Sequence, residues 1–233
     1  MEDEHPWRQT RLMKTVILVG EGQTEENFVK QVLAPSLILQ DVYVEPRLIR
    51  TSRTSRGGAL NWQRVLRFLR NSLRERGDTY VTTLFDLYKI PSDFPGVTES
   101  SDNTDPIART GKIESAFGKA VVEYVGCRSE RFLPHVQPYE FEGLLFSDPS
   151  KFEAVESKWG AFTAKLQSIR DSAASPEHIN DDAHTHPYAR LKVLKPRYRK
   201  VRDGTLVSKA IGIDRIRNEC SHFNQWLTAL EAL

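Results

Sequence analysis

The stretch from Lys14 to Leu37, KTVILVGEGQTEENFVKQVLAPSL, decides the fold. Its first seven residues are β-branched or apolar on both faces over the length of one strand. A strand with no polar face belongs at the centre of a sheet covered by helices on each side. Two glycines then flank a glutamate in a tight turn, and Thr24 offers an N-cap. Glu25 and Glu26 follow in the first turn, where the helix dipole favours negative charge. Phe28, Val29, Val32, Leu33 and Leu37 recur at helical spacing and define one buried face, and Pro35 is expected to kink or end the helix.

The units that follow repeat this pattern. VYVEPRLI (42–49) reads as a second strand, at an edge because Pro46 has no N–H for a ladder. RTSRTSRGG is a polar loop. A helix is expected from Ala59 to Arg76, with Trp62, Val65, Leu66, Leu69 and Leu73 on one face. TYVTTLFD is a third strand ending in Asp86. Residues 88–105 read as a long surface loop of the kind that often serves a site. Ile107–Tyr124 reads as a helix and RFLPHVQPY as a fourth strand, and Ser147-Asp148-Pro149 signals a helix start. Beyond about Glu156 only helices and polar loops are expected. The order implies an α/β fold with a mostly parallel central sheet flanked by helices and a helical C-terminal portion. The expected division is a polar segment 1–13, a core 14–156 and a helical extension 157–233 packed on the core.

The length of 233 residues fits such a domain, and 39% apolar residues suffice for a core. A formal charge of +2 gives no bulk attraction to nucleic acid, so any such surface must come from local clustering. Cys127 and Cys220 lie far apart without metal-type spacing and are expected to be reduced thiols. The polar N-terminus lacks a signal-peptide core, and no run approaches the roughly 20 apolar residues of a membrane helix. The expectation is a cytoplasmic protein.

In doubly wound sheets ligands sit beyond the carboxyl ends of the strands. Glu21 follows the first strand, Asp86 ends the third, and Glu140 and Glu142 follow the fourth. Converging carboxylates repel unless a cation joins them, and hard divalent ions with oxygen ligands suit them. Taken singly, Glu25, Glu26 and Asp86 read as structural residues of a helix start and a strand end, and it is their joint placement at several strand ends that points to a metal site. A dinucleotide site would need G-x-G-x-x-G, whereas here a glutamate sits between the glycines and would repel a pyrophosphate.

At VGEGQTEENFV the chain resembles the Toprim group of metal-dependent nucleases and topoisomerase-primase domains, whose strand followed by Glu-Gly maps onto Glu21 and Gly22. Nucleases of the overcoming-lysogenization-defect type carry a further glutamate that maps onto Glu25. The chain is also identified as a member of domain-of-unknown-function family 4276, which is Toprim-like. The pieces that match are EGQTEENFVKQVLAPSL, TLFDLYKIPSDFPG, FLPHVQPYEFEGLLFSDP, PEHIND, YARLKVLKPRYRK and CSHFNQWL. The resemblance implies a Rossmann-like Toprim fold, Mg2+ (or Mn2+), a nucleic-acid substrate and an ABC-type or AAA-type ATPase partner in bacterial anti-phage defence. One departure stands out. Toprim domains carry Asp-x-Asp after the third strand, and here the stretch is Asp86-Leu87-Tyr88. Asp93, Glu140 or Glu142 would have to complete the site.

For a nuclease, Glu21, Asp86 and one of Glu140 or Glu142 would hold the first ion, with Glu25 on a second ion or acting as general base. LKVLKPRYRKVRDG supplies cations for a phosphate. Lys195 and Lys200 are the candidates at the reacting centre, and Arg197 and Arg199 for the backbone. Arg50, Arg53 and Arg56 form a second candidate nucleic-acid strip. His184 and His186 beside Asp181 and Asp182 offer a weak transition-metal pattern, and His135 reads as a satisfied core residue. Two alternatives stand beside the nuclease. One is a non-catalytic Toprim-like binding or regulatory subunit of an ATPase complex, and the other a phosphotransfer or nucleotide-processing enzyme using the same acids.

Overall fold

The structure is a computed structural model, and it describes residues 12–49, 60–180 and 185–233. The strands are β1 (Lys14–Gly20), β2 (Val42–Leu48), β3 (Tyr80–Asp86), β4 (Phe132–Leu133) and β5 (Val136–Gln137). The first helices are α1 (Gln23–Phe28), α2 (Ala34–Leu37), α3 (Trp62–Glu75) and α4 (Pro106–Val125). They are followed by α5 (Lys151–Val155), α6 (Thr163–Asp171), α7 (Pro187–Leu194), α8 (Thr205–Ile211), α9 (Ile213–Glu219) and α10 (Ser221–Glu231). All pairings are parallel, in the order β2-β1-β3-β4, with β5 also paired to β3.

Strand β1 lies inside the sheet and shows why both of its faces are apolar. Val16 and Leu18 enter one core, with Phe28, Val32 and Leu33. Ile17 and Val19 enter a second core on the opposite face, with Val65, Leu69, Ile113 and Phe117. Period-2 alternation along one strand thus feeds two cores. The C-terminal helices share the first of these, because Val207, Phe223 and Leu227 cluster with β1 and α1. Residues 157–233 therefore complete the core that β1 begins.

The local departures from expectation have physical causes. Thr24 lies inside α1 and is buried, and Gly22 is the N-cap, so the helix starts earlier than the Thr24 cap implied. Pro35 neither ends nor breaks the helical run. Val29–Leu33 form a π turn in which the Ala34 N–H reaches the Val29 carbonyl. That wider turn precedes the residue lacking an N–H, and α2 continues from it. Helix α3 begins at Trp62, behind Asn61, whose side chain caps the Arg64 N–H. The fourth strand is two short pieces, because Pro134 cannot donate to a ladder. Across the gap the Thr83 hydroxyl accepts from the His135 N–H (2.9 Å) and donates to the His135 carbonyl (2.9 Å). Past Ser147-Asp148-Pro149, α5 begins at Lys151, with the Asp148 carboxylate accepting from the Ser150 N–H.

The loop after β3 is anchored in the core. Phe94 is buried and packs edge-on against Trp62 (4.9 Å) and Phe117 (5.1 Å). Both cysteines are free thiols. Among the described residues no helix is long and apolar enough to cross a membrane.

Candidate functional site

Because β1 and β3 are parallel and Gly20 is in register with Leu84, the residues that follow both strands emerge at the same edge. Glu21 leaves β1 there, and its Oε1 accepts from the Asp86 N–H (3.2 Å). Glu25 is carried to the same edge by the first turn of α1 and is buried. The glycines make room for it. A Cβ on Gly20 would stand 3.3 Å from the Glu25 Cβ, and one on Gly22 would stand 3.1 Å from Glu25 Oε2. Asp86 Oδ1 accepts from the Phe141 N–H (2.7 Å), which ties β3 to the buried 3-10 segment Phe141–Ser147. Glu142 lies on that segment, fully buried.

Two lysines enter this acidic cluster. Lys89 Nζ lies 3.0 Å from Asp86, 3.7 Å from Glu21 and 3.8 Å from Glu25. Lys200 Nζ lies 2.6 Å from Glu142 Oε2 and 3.6 Å from Asp86 Oδ2. Four acids thus face two cations, and the excess negative charge appears in the protonation of the site. Burial pushes Glu21 up to about 8, with Lys89 opposing and Asp86 and Glu25 adding to the rise. Burial likewise pushes Glu142 up to about 8, against Lys200. Glu25 is raised by burial and then by Asp86. Burial acts to raise Asp86 as well, but Lys200 and Lys89 outweigh it and hold it below the usual range. Both lysines are raised, since the acids around them overcome the opposing effect of burial.

A hard divalent cation fits this donor set. Asp86 Oδ2 and Glu142 Oε2 are buried and met only by the two lysine ammonium groups, and Glu142 Oε1 is buried with no hydrogen-bond partner among the described residues. Oxygen-only ligands of this kind suit Mg2+ or Mn2+.

The structure brings Glu21, Glu25, Asp86, Glu142 and Lys200 together. Glu140 stands beside them with its Oε2 turned the other way, 2.8 Å from His186 Nδ1 and accepting from the Tyr188 N–H (3.0 Å). His186 is therefore a neighbour of Glu140, while His184, Asp181 and Asp182 lie outside the described residues. Lys195 departs from its expected place. It pairs with Glu156 and lies over the Trp159 ring (5.1 Å), which directs its charge into a neighbouring groove. Asp93 is exposed, on the turn before Phe94. Arg50, Arg53 and Arg56 lie outside the described residues. Lys89 went unnoticed in the sequence. A lysine three residues past a strand-end aspartate carries no signal until the 3-10 turn Leu87–Lys89 folds it back.

The groove holds about 1020 Å³ and is lined by Lys158, Lys192, Lys195, Arg197, Arg199 and Arg202 against Glu156 and Asp203. The segment that supplies most of these cations also delivers Lys200 to the acids.

The geometry defines a class: an α/β domain with buried carboxylates and lysines beyond the ends of parallel strands, next to a basic groove. Within it, the chain belongs to the family described as Domain of unknown function (DUF4276), whose model matches residues 20–231. No curated protein and no solved structure matches the chain.

Proposed function

We propose that the chain is a Toprim-like, Mg2+-dependent (or Mn2+-dependent) nuclease that hydrolyses phosphodiester bonds in DNA or RNA. In this reading it works in the cytoplasm as the effector subunit beside an ABC-type or AAA-type ATPase, in a bacterial anti-phage defence system. The observation that carries the chemistry is the excess of buried carboxylate beyond the strand ends, four acids against two lysines with Glu142 Oε1 left without a partner among the described residues. The ATPase and the defence context rest on the family resemblance.

Glu21, Asp86 and Glu142 would hold the ion, which when bound supplies charge neutralisation and a more acidic water. Burial, with Asp86 adding to it, raises Glu25 above the ordinary carboxylate value, which makes it the stronger proton acceptor that a general base requires. Lys200 and Lys89 would turn their charge to the scissile phosphate as the acids engage the ion. Arg197, Arg199 and Lys195 in the groove would hold the flanking backbone. The test is cleavage of plasmid, single-stranded DNA and tRNA with Mg2+ or Mn2+, with Glu21→Gln as control. Equal activity in that variant would sink the assignment. Co-purification with an ATPase encoded beside it tests the partner.

One observation favours a second reading. Lys89 and Lys200 already act as internal counter-ions, as they would in a non-catalytic binding or regulatory subunit. Calorimetry showing no Mg2+ or Mn2+ binding would decide for it.

A further inference from the structure

A second cluster lies away from the acidic site and is built from three separate elements. Glu114 comes from α4, His135 from the link between β4 and β5, and His222 from the first turn of α10. One ligand atom from each lies within 4.8 Å of the other two. Glu114 Oε1 stands 2.9 Å from His222 Nε2 and 3.5 Å from His135 Nδ1. The same oxygen accepts from the Val136 N–H (2.7 Å), which fixes the carboxylate in place.

The orientation of His135 gives the cluster its meaning. The ring is fully buried and stacked on Trp226 (4.4 Å, 12°), so it cannot swing away. Its Nε2 faces the Gln137 side-chain oxygen at 3.4 Å, an acceptor that suits the tautomer protonated at Nε2. In that tautomer Nδ1 is a lone pair open to an ion. It is buried without a hydrogen-bond partner among the described residues, and it points at a carboxylate oxygen. In that tautomer two acceptors face each other at 3.5 Å in a largely buried site, where a cation between them would relieve the repulsion. The His222 ring faces the same oxygen and has the Val136 backbone as a further partner. Imidazoles that ligate metals are held this way, with the other nitrogen on an acceptor nearby.

We propose that Glu114, His135 and His222 form a binding site for a zinc-class transition-metal ion, separate from the acidic site and independent of the nuclease reading. Two imidazoles and one carboxylate suit zinc, where the acidic site's oxygen-only donors suit magnesium. Three protein ligands leave a fourth position for water or an exogenous ligand. Glu114 also lines an open groove of about 480 Å³ beside Gly118 and Pro134, through which an ion can enter.

The experiment uses the full chain, stripped with chelator and titrated with Co2+ alone, then with Zn2+ in competition. The expected result is one equivalent of Co2+ with the intense visible absorption of a four-coordinate site, displaced by Zn2+. Glu114→Gln and His222→Gln should each weaken Co2+ binding by about 100-fold. Glu21→Gln and Asp86→Asn should leave the band unchanged. X-ray absorption of the zinc-loaded wild type should show two imidazoles, a readout that needs no variant to fold. No Co2+ band, a band that survives Glu114→Gln, a band lost in Glu21→Gln, or a zinc shell without imidazole would each overturn the proposal.

Discussion

The two charged clusters of this molecule bury ionisable groups in opposite ways. At the strand ends, Glu21, Glu25, Asp86 and Glu142 meet two lysines, and burial lifts three of the four acids. Around Glu114 a single carboxylate meets two imidazoles. There burial acts to raise it, but His135 and His222 outweigh burial and bring it down to about 2. Burial also lowers His135, while Glu114 overcomes burial at His222 and holds that ring up. Burial alone therefore does not set the character of a site. The ratio of acids to bases does, and here it makes one cluster short of positive charge and the other nearly balanced.

The largest effect that would break this comparison is on activity. Removing one ligand from the acid-rich cluster, as in Glu21→Gln or Asp86→Asn, should lower Mg2+-dependent cleavage by about 100-fold or more. Glu21→Gln should leave metal-free stability nearly unchanged or slightly higher, because Glu21 is held protonated at a cost in the fold, whereas Asp86→Asn takes the counter-ion from Lys89 and Lys200 and should lower it. Glu114→Gln should behave in the reverse manner to Glu21→Gln. It replaces a carboxylate that serves the Val136 N–H and the His222 ring, and should cost about 2–3 kcal/mol in urea unfolding with chelator present. If Glu21→Gln proves the more destabilising of the two, the contrast between the clusters is wrong.

The pH dependence sharpens the contrast. Glu21 and Glu142 have folded values near 8 against an ordinary 4.5. Between these limits the folded chain holds protons that the unfolded chain has released, so metal-free stability should fall as pH rises from 4.5 to 8. Glu114 has the opposite sign. Its contribution is present above 4.5 and is lost as pH falls through about 2. Because Mg2+ must displace the raised protons, the thermal shift it produces should grow from pH 6 to pH 8. A Mg2+ shift that is flat across that range would mean that Glu21 and Glu142 are not its ligands.

The sequence showed the sheet more fully than it showed either cluster. Alternation and turn chemistry are local, so β1, β2 at the edge, β3, the face of α3 and the extent of α4 could be read from short windows. The convergence of Glu21 and Asp86 followed from parallel strand order alone. The π turn that absorbs Pro35 was hidden because it depends on how the helix packs. Lys89 was hidden because a single 3-10 turn redirects it. Lys195 and Lys200 looked equivalent in sequence, and their separation depends on which neighbour, Glu156 or Glu142, each can reach. Glu114 and His222 stand 108 residues apart, and no spacing rule joins them. His135 read as a satisfied core residue because its burial is visible in the sequence and its unpartnered nitrogen is not.

The smallest expected effect separates packing from ligation within the acidic site. Gly22 has extended backbone (φ −150°, ψ 179°), which any residue can adopt, so Gly22→Ala introduces no dihedral strain. It does replace a tolerated N-cap residue with a poor one, which should cost about 0.5–1 kcal/mol. Its new methyl would stand 3.1 Å from Glu25 Oε2, so that carboxylate must give by a few tenths of an ångström. Glu25 is buried beside Lys89 and can yield only by changing its angle to Glu21 and Asp86. Mg2+ affinity measured by calorimetry should therefore drop several-fold, while the Co2+ band of the histidine cluster stays as in the wild type. A stability loss with unchanged Mg2+ affinity would remove Glu25 from the ligand set and leave it the role of a buried base beside Lys89.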